Sequence, residues 1–221
     1  MDSMETLRGV ARKFWTQSRQ NAFLGAGYNH QTKARRLRDL NFIAERIAGA
    51  KSIIDIGCGD GGTMMAMREV SGISEFHMWD QSRPFIRELR RRWGRHPARL
   101  HARAVDLSRD LPAIPETDVA VLLGVTPYLF SDADVHRLLD AVPAKKVILR
   151  SPCTMLPEDE VVSTYSEALG AEYAAIYRTV PNLTAMLGRR HNILESGRIW
   201  PDEIESKFGT RQFAFVLARV S

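Results

Sequence analysis

Cysteine is nearly absent from this chain of 221 residues. Only Cys58 and Cys153 occur, and they form no C-x-x-C pair. No cysteine/histidine cluster stands at metal-ligand spacing, so the sequence offers no disulfide framework and no local metal motif. Cys58 reads as a small packing thiol rather than a nucleophile. Long apolar runs are also missing: none approaches the ~20 residues a membrane span needs. The first residues, Met1-Asp-Ser-Met-Glu-Thr-Leu-Arg8, lack the apolar core of a secretory signal. The expectation is a cytoplasmic protein that does not enter a membrane. Lysine is scarce, six among 31 basic residues, so arginine carries most of the net charge of +5. Arg35, Arg36 and Arg38 form one cluster; Arg87, Arg90, Arg91, Arg92 and Arg95 form another. Aromatic residues are not interleaved with them, as a base-stacking surface would require. The clusters read as solvated helix faces rather than a nucleic-acid surface.

What is present suffices for one core. A hydrophobic fraction of 44% over this length fits a single domain. The organising stretch is Lys51 to Gly62. Ile53, Ile54 and Ile56 are β-branched and suit a buried strand. Gly57, Gly59 and Gly61 then turn the chain and let a ligand approach the backbone. Met64, Met65, Met67 and Val70 follow at helical spacing. Strand, glycine turn and helix make the first half of a βαβ unit, with the helix N-terminus facing the turn.

Two ligands suit such a turn. Gly57, Gly59 and Gly62 satisfy G-x-G-x-x-G, which alone permits a dinucleotide and an NAD(P)-dependent oxidoreductase. Asp55 argues otherwise, because an acid at the strand end sits poorly beside a pyrophosphate and suits an ammonium group. Asp55-Ile-Gly-Cys-Gly-Asp-Gly61 closely resembles motif I of the class I S-adenosylmethionine-dependent methyltransferases. The resemblance extends from about Arg35 to Val220.

Read in order, residues 5–24 and about 31–48 pattern as helices, with a glycine loop at Gly25–His30 between them. Strands are expected at 74–80, 98–106, 118–123 and 145–150. Helices are expected after Pro84 to about Trp93 and over 132–141. This alternation predicts a doubly wound, mainly parallel sheet. The tail departs from it, with a helix at 181–188 and strands at 191–200 and 213–218 joined by a short link. Two such strands pair most simply as antiparallel neighbours. The expected fold is therefore α/β, a Rossmann-like methyltransferase sheet of seven strands with a reversed final strand in a single domain. Residues 1–50 are expected to supply helices covering cofactor and substrate, and 51–221 the core. Within that core, 151–180 patterns as helical and reads as a substrate-covering insertion near the ligand crevice.

The resemblance implies the site. Asp55, Gly57, Cys58 and Gly59 fall where the family holds the methionine portion of S-adenosyl-L-methionine and of its product, S-adenosyl-L-homocysteine. Asp80, followed by Gln81, falls where an acid takes the ribose hydroxyls. Asp106 and Leu107 fall at the adenine. Leu123, Gly124 and Val125 fall beside the reacting methyl group. Candidate catalytic or orienting groups are His30, Tyr128, Tyr177, Arg178 and His191. Val125-Thr-Pro-Tyr128 lacks the first residue and second proline of the Asn/Asp-Pro-Pro-Tyr motif of amino-methyltransferases. No acid after the fourth strand suggests metal dependence. The implied acceptor is a small molecule, methylated on oxygen in natural-product or saccharide biosynthesis. An RNA-modifying methyltransferase and a catalytically silent scaffold stand as alternatives, and homodimerisation stays open.

Overall fold

The computed structural model describes residues 3–16, 30–109, 111–166, 170–205 and 209–219, with side chains of the second helix described from residue 33. Nine strands and six α-helices occur among them. In chain order they are α1 (Met4–Thr16), α2 (His30–Ala44), β1 (Ser52–Ile56), α3 (Gly62–Val70), β2 (Glu75–Asp80) and α4 (Arg83–Trp93). Then come β3 (Arg99–Ala104), β4 (Val119–Leu123), α5 (Asp132–Ala141), β5 (Lys146–Thr154), β6 (Glu160–Ser166) and β7 (Ala171–Tyr177). The chain closes with α6 (Val180–Gly188), β8 (His191–Arg198) and β9 (Thr210–Arg219).

Seven strands form one sheet in the order β3-β2-β1-β4-β5-β9-β8. Strands β3, β2, β1, β4 and β5 run parallel, and β9 pairs antiparallel with both β5 and β8. The last strand is thus the reversed one, as the sequence led us to expect. Alternation along each strand fills both faces. Ile53, Phe76, Met78, Val121 and Ile148 pack with Met64, Met67, Ile86 and Leu89 of α3 and α4. Ile54, Ile56, Ala120, Leu122 and Leu149 pack with Val135, Leu138, Leu183 and Leu187 of α5 and α6. A parallel sheet covered on both faces explains why β1 and β4 read as nearly continuous apolar runs.

The helix termini carry their own signals. Ser82 caps α4 by accepting from the Phe85 amide, with Pro84 in the first turn. Ser131 caps α5 and Thr179 caps α6 in the same way.

Two expectations need correction. The helix expected over 31–48 ends at Ala44. The segment 151–180 is not helical: β5 runs on to Thr154, and β6 and β7 then form a separate antiparallel hairpin. Its Val161, Val162, Thr164 and Ile176 are β-branched, and a hairpin satisfies their backbone without crowding χ1. The hairpin also packs beneath α1, where Leu7, Ala11, Phe130, Ala174 and Ile176 form a third apolar cluster. The expected continuation of the first helix beyond Thr16, and the loop at Gly25 to Tyr28 with Asn29, lie outside the described residues. No described helix is long and apolar enough to cross a membrane.

Candidate active site

The glycine turn is built by its φ angles. Gly57, Gly59 and Gly61 adopt φ of 77°, 55° and 72°, the left-handed region that side chains resist. The Gly57 and Cys58 amides both donate to the Trp79 carbonyl, at 2.7 and 2.9 Å, tying the turn to β2. A Cβ on Gly57 would stand 2.5 Å from Val125 Cγ2, so the turn presses directly on the loop after β4. Gly57→Ala is therefore expected to cost about 1–3 kcal/mol through backbone strain and this clash. A melting temperature lower by several degrees checks it, and an unchanged one would contradict the close approach.

Around this turn lies a hollow of about 530 Å³. Eleven residues implied by the resemblance line it together. Asp55, Gly57, Cys58 and Gly59 come from the turn, and Asp80 and Gln81 from the end of β2. Asp106 and Leu107 follow β3, and Leu123, Gly124 and Val125 follow β4. The hollow thus opens at the carboxyl ends of the parallel strands, where open α/β sheets bind ligands.

Three of its acids differ in environment. Asp55 is 2% exposed, and its Oδ1 has no hydrogen-bond partner among the described residues. Burial raises its pKa to about 8, helped by the charges of Asp80 and Asp39 and opposed by Arg150. Asp80 accepts from the Gly59 amide at 2.9 Å through Oδ2 and from the Ser82 amide at 2.8 Å through Oδ1. Burial raises its pKa too, against the pull of those two bonds. Asp106 caps its own turn, accepting from the Ser108 amide and hydroxyl at 3.0 and 2.6 Å through Oδ1.

Several lining residues were not among the site residues expected from the sequence. Arg8, Arg12 and Trp15 reach the hollow from one face of α1, and Arg35, Arg36 and Asp39 from α2. Arg8 donates to Asp134 at 2.6 Å, which anchors α1 to α5. Arg36 grips both oxygens of Asp60 at 3.0 Å. Asp39 is buried, accepts from the Trp200 indole at 3.0 Å and pairs with Arg150 at 3.2 Å. Arg150 also donates to Gln212. The signal that was available is an arginine closing the apolar run Val147-Ile-Leu149 in β5, level with the end of β4. Asp39→Ala would leave the Arg150 charge without its buried partner, at a cost of about 3–5 kcal/mol. A drop in melting temperature of roughly 6 °C or more is expected; a neutral effect would show that Gln212 alone suffices.

The candidate catalytic groups separate. Tyr128 lines the hollow, its ring edge-on to Trp15 at 5.3 Å. Burial pushes its pKa up, so it stays a neutral phenol at neutral pH. The side chain of His30 lies outside the described residues. Tyr177 does not line the hollow; its hydroxyl shares a 2.6 Å bond with that of Tyr173. Arg178 is a correction to the catalytic reading. Its guanidinium is buried, donates to the Thr126 and Leu129 carbonyls at 3.2 and 2.9 Å, and pairs with Asp132. It holds the loop after β4 in place. His191 is a second correction. It pairs with Arg219 at the amino edge of the sheet, beside the start of β5, and so faces away from the hollow.

A mainly parallel sheet of seven strands with its last strand reversed, and a glycine turn, β2 acid and β4 loop around one hollow, define the class I methyltransferase architecture. Residues 53–144 match the family described as methyltransferase domain. No curated protein matches the chain in sequence. Among solved structures, an S-adenosylmethionine-dependent methyltransferase from Leishmania major aligns with a TM-score of 0.69 at 15% identity. The alignment covers 96% of this chain and 82% of that one. A glycopeptide N-methyltransferase, MtfA, bound to S-adenosylhomocysteine aligns with a TM-score of 0.65 at 12% identity, covering 83% and 89%. An O-methyltransferase from a polyketide synthase multienzyme of Brevibacillus brevis aligns with a TM-score of 0.58 at 14% identity, covering 84% and 72%. The fold of this chain is that of the class I S-adenosylmethionine-dependent methyltransferases. The same glycopeptide N-methyltransferase in complex with S-adenosyl-L-methionine aligns with a TM-score of 0.63 at 12% identity. The matched domain speaks for the methyltransferase reading over the oxidoreductase alternative.

Proposed function

We propose that the protein methylates a small molecule, on a hydroxyl oxygen, in natural-product or saccharide biosynthesis. The observation that carries this reading is the shape of the hollow. It is walled by helices α1 and α2, its five arginines are matched by five aspartates, and about 530 Å³ is the size of a small-molecule site. Several of the arginines that prompted an RNA reading are engaged within the protein. Arg90 donates to the Ala102 carbonyl, Arg91 pairs with Glu88, and Arg92 with Asp60. Arg35 donates to the Ile204 and Glu205 carbonyls.

When bound, S-adenosylmethionine supplies an electrophilic methyl group on a positively charged sulfur. In our reading Asp55 holds the ammonium of its methionine portion, and the unpartnered Oδ1 is the group free to do so. Asp80 accepts from the ribose hydroxyls, Asp106 and Leu107 border the adenine, and Leu123 to Val125 position the reacting end. Tyr128, kept protonated by burial, orients the acceptor by donating a hydrogen bond and is not the base. Positioning of this kind can be worth ~7–11 kcal/mol in such a displacement. Residues 1–50 act as the cover. The hairpin within 151–180 serves as the buttress of α1, with Tyr173 edge-on to Phe14 at 5.0 Å. Two free cysteines agree with a cytoplasmic location.

The test supplies methyl-labelled S-adenosylmethionine and a cell extract to the protein and fractionates the products. Label in the low-molecular-weight fraction, stable to mild acid as an ether, supports the proposal. Label in precipitable RNA would establish the RNA reading instead. Binding of S-adenosylhomocysteine with no label in any fraction would point to a silent scaffold.

A further inference from the structure

Three side chains that the sequence keeps apart meet at the amino ends of β2 and β3. Glu75 and His77 point to the same face of β2, and the parallel register sets His101 directly beside His77. The chain passes from β3 to β4 with no helix between them among the described residues. That leaves this corner of the sheet face without the helix that would otherwise cover it. His77 Nε2 and His101 Nε2 each lie 3.1 Å from the same oxygen, Glu75 Oε1. The two imidazoles stack at 4.6 Å with 13° between their planes. All three donor atoms fall within 4.8 Å of one another.

The distances suit a metal. Zinc holds imidazole nitrogen and carboxylate oxygen at ~2.0–2.2 Å, so neighbouring ligands of a tetrahedron stand about 3.3 Å apart. Both nitrogen–oxygen separations are close to that edge. We propose that Glu75, His77 and His101 form a three-ligand site for a zinc-type divalent cation, with water completing its shell. Magnesium and calcium, which require mostly oxygen ligands, are poor occupants.

The site is separate from the methyl-transfer hollow. Glu75 lies five residues along β2 from Asp80, roughly 16 Å of strand. Its effect is to clip the edge strand β3 to β2. Arg99 stands opposite Glu75, and Arg103 lies over the Trp79 ring at 5.7 Å. These two cations on the same strand weaken attraction for a third, so affinity on the order of micromolar is expected rather than that of a structural zinc finger.

Tag-free protein titrated with zinc by calorimetry should bind one equivalent. Its melting temperature should rise by about 5 °C or more at zinc a hundredfold above the dissociation constant. His77→Ala and His101→Ala should each lose both effects while keeping their affinity for S-adenosylhomocysteine. Glu75→Gln, which conserves shape, serves if a histidine variant does not fold, and it should weaken zinc at least tenfold. A Cys58→Ser/Cys153→Ser protein should bind zinc as before. Cobalt in place of zinc should show the visible absorption of a four-coordinate nitrogen–oxygen site. Absence of binding below about 100 µM zinc, or binding unchanged by the Glu75 and histidine substitutions, would overturn the proposal.

Discussion

Asp80→Ala is expected to weaken S-adenosylhomocysteine binding by about a hundredfold or more. The carboxylate already accepts the Gly59 and Ser82 amides, one on each oxygen. Each oxygen keeps a further lone pair, enough to take both ribose hydroxyls at once. Charge-assisted hydrogen bonds are worth ~1.5–3 kcal/mol each, so losing two removes about 3–6 kcal/mol. At 1.4 kcal/mol per tenfold, that is at least a hundredfold. The same substitution releases the Gly59 amide and loosens the turn, which adds to the loss. Asp80→Asn keeps one acceptor oxygen and should fall between, near tenfold. Calorimetry measures both, with melting curves to establish that the variants fold. Wild-type affinity in Asp80→Ala would end the ribose assignment.

Binding of the same ligand should tighten as pH rises. Burial holds the Asp55 carboxyl at about 8, far above its ordinary 3.8. Between those values the folded protein binds more protons than the unfolded chain, so this group makes stability fall with rising pH. A cation placed against Asp55 favours the carboxylate and expels its proton. Affinity for S-adenosylhomocysteine, whose amine stays charged, should therefore rise roughly tenfold from pH 6.5 to 8 and then level off. Calorimetry in buffers of different ionisation heat should detect the released proton near neutrality. Asp55→Asn should bind more weakly and lose this slope. A flat profile in the wild-type protein would place the ammonium elsewhere.

How much of this was legible in the sequence follows from how local each signal is. The glycine turn was readable because Gly57, Gly59 and Gly61 stand within five residues and each is demanded by its own backbone angle. Parallel strands announced themselves through unbroken apolar runs such as Val119 to Leu123. The reversed last strand could be inferred from the short link before Phe213. The hairpin at 151–180 was misread as helical because Ala171 to Ile176 holds three alanines and a glutamate, good helix formers. Pairing with the β-branched strand at 160–166 overrides that local preference, and the pairing is invisible to a propensity count. The walls of the hollow were missed for a different reason. Arg12, Asp39 and Arg150 come from three elements and converge only through the packing of α1 and α2 over the sheet. His191 and Arg178 looked like chemistry because they are polar, yet one faces the opposite sheet edge and the other is a buried brace. Glu75, His77 and His101 show the reverse case. No local spacing marks them, and only the β2–β3 register brings them together.

The most direct measurement is a crystal structure with S-adenosylhomocysteine bound. The ligand should lie over the glycine turn with its amine within hydrogen-bond distance of Asp55 Oδ1 and its ribose on Asp80. A ligand seated with that carboxylate oxygen still unpartnered, or with its ribose away from Asp80, would contradict the account.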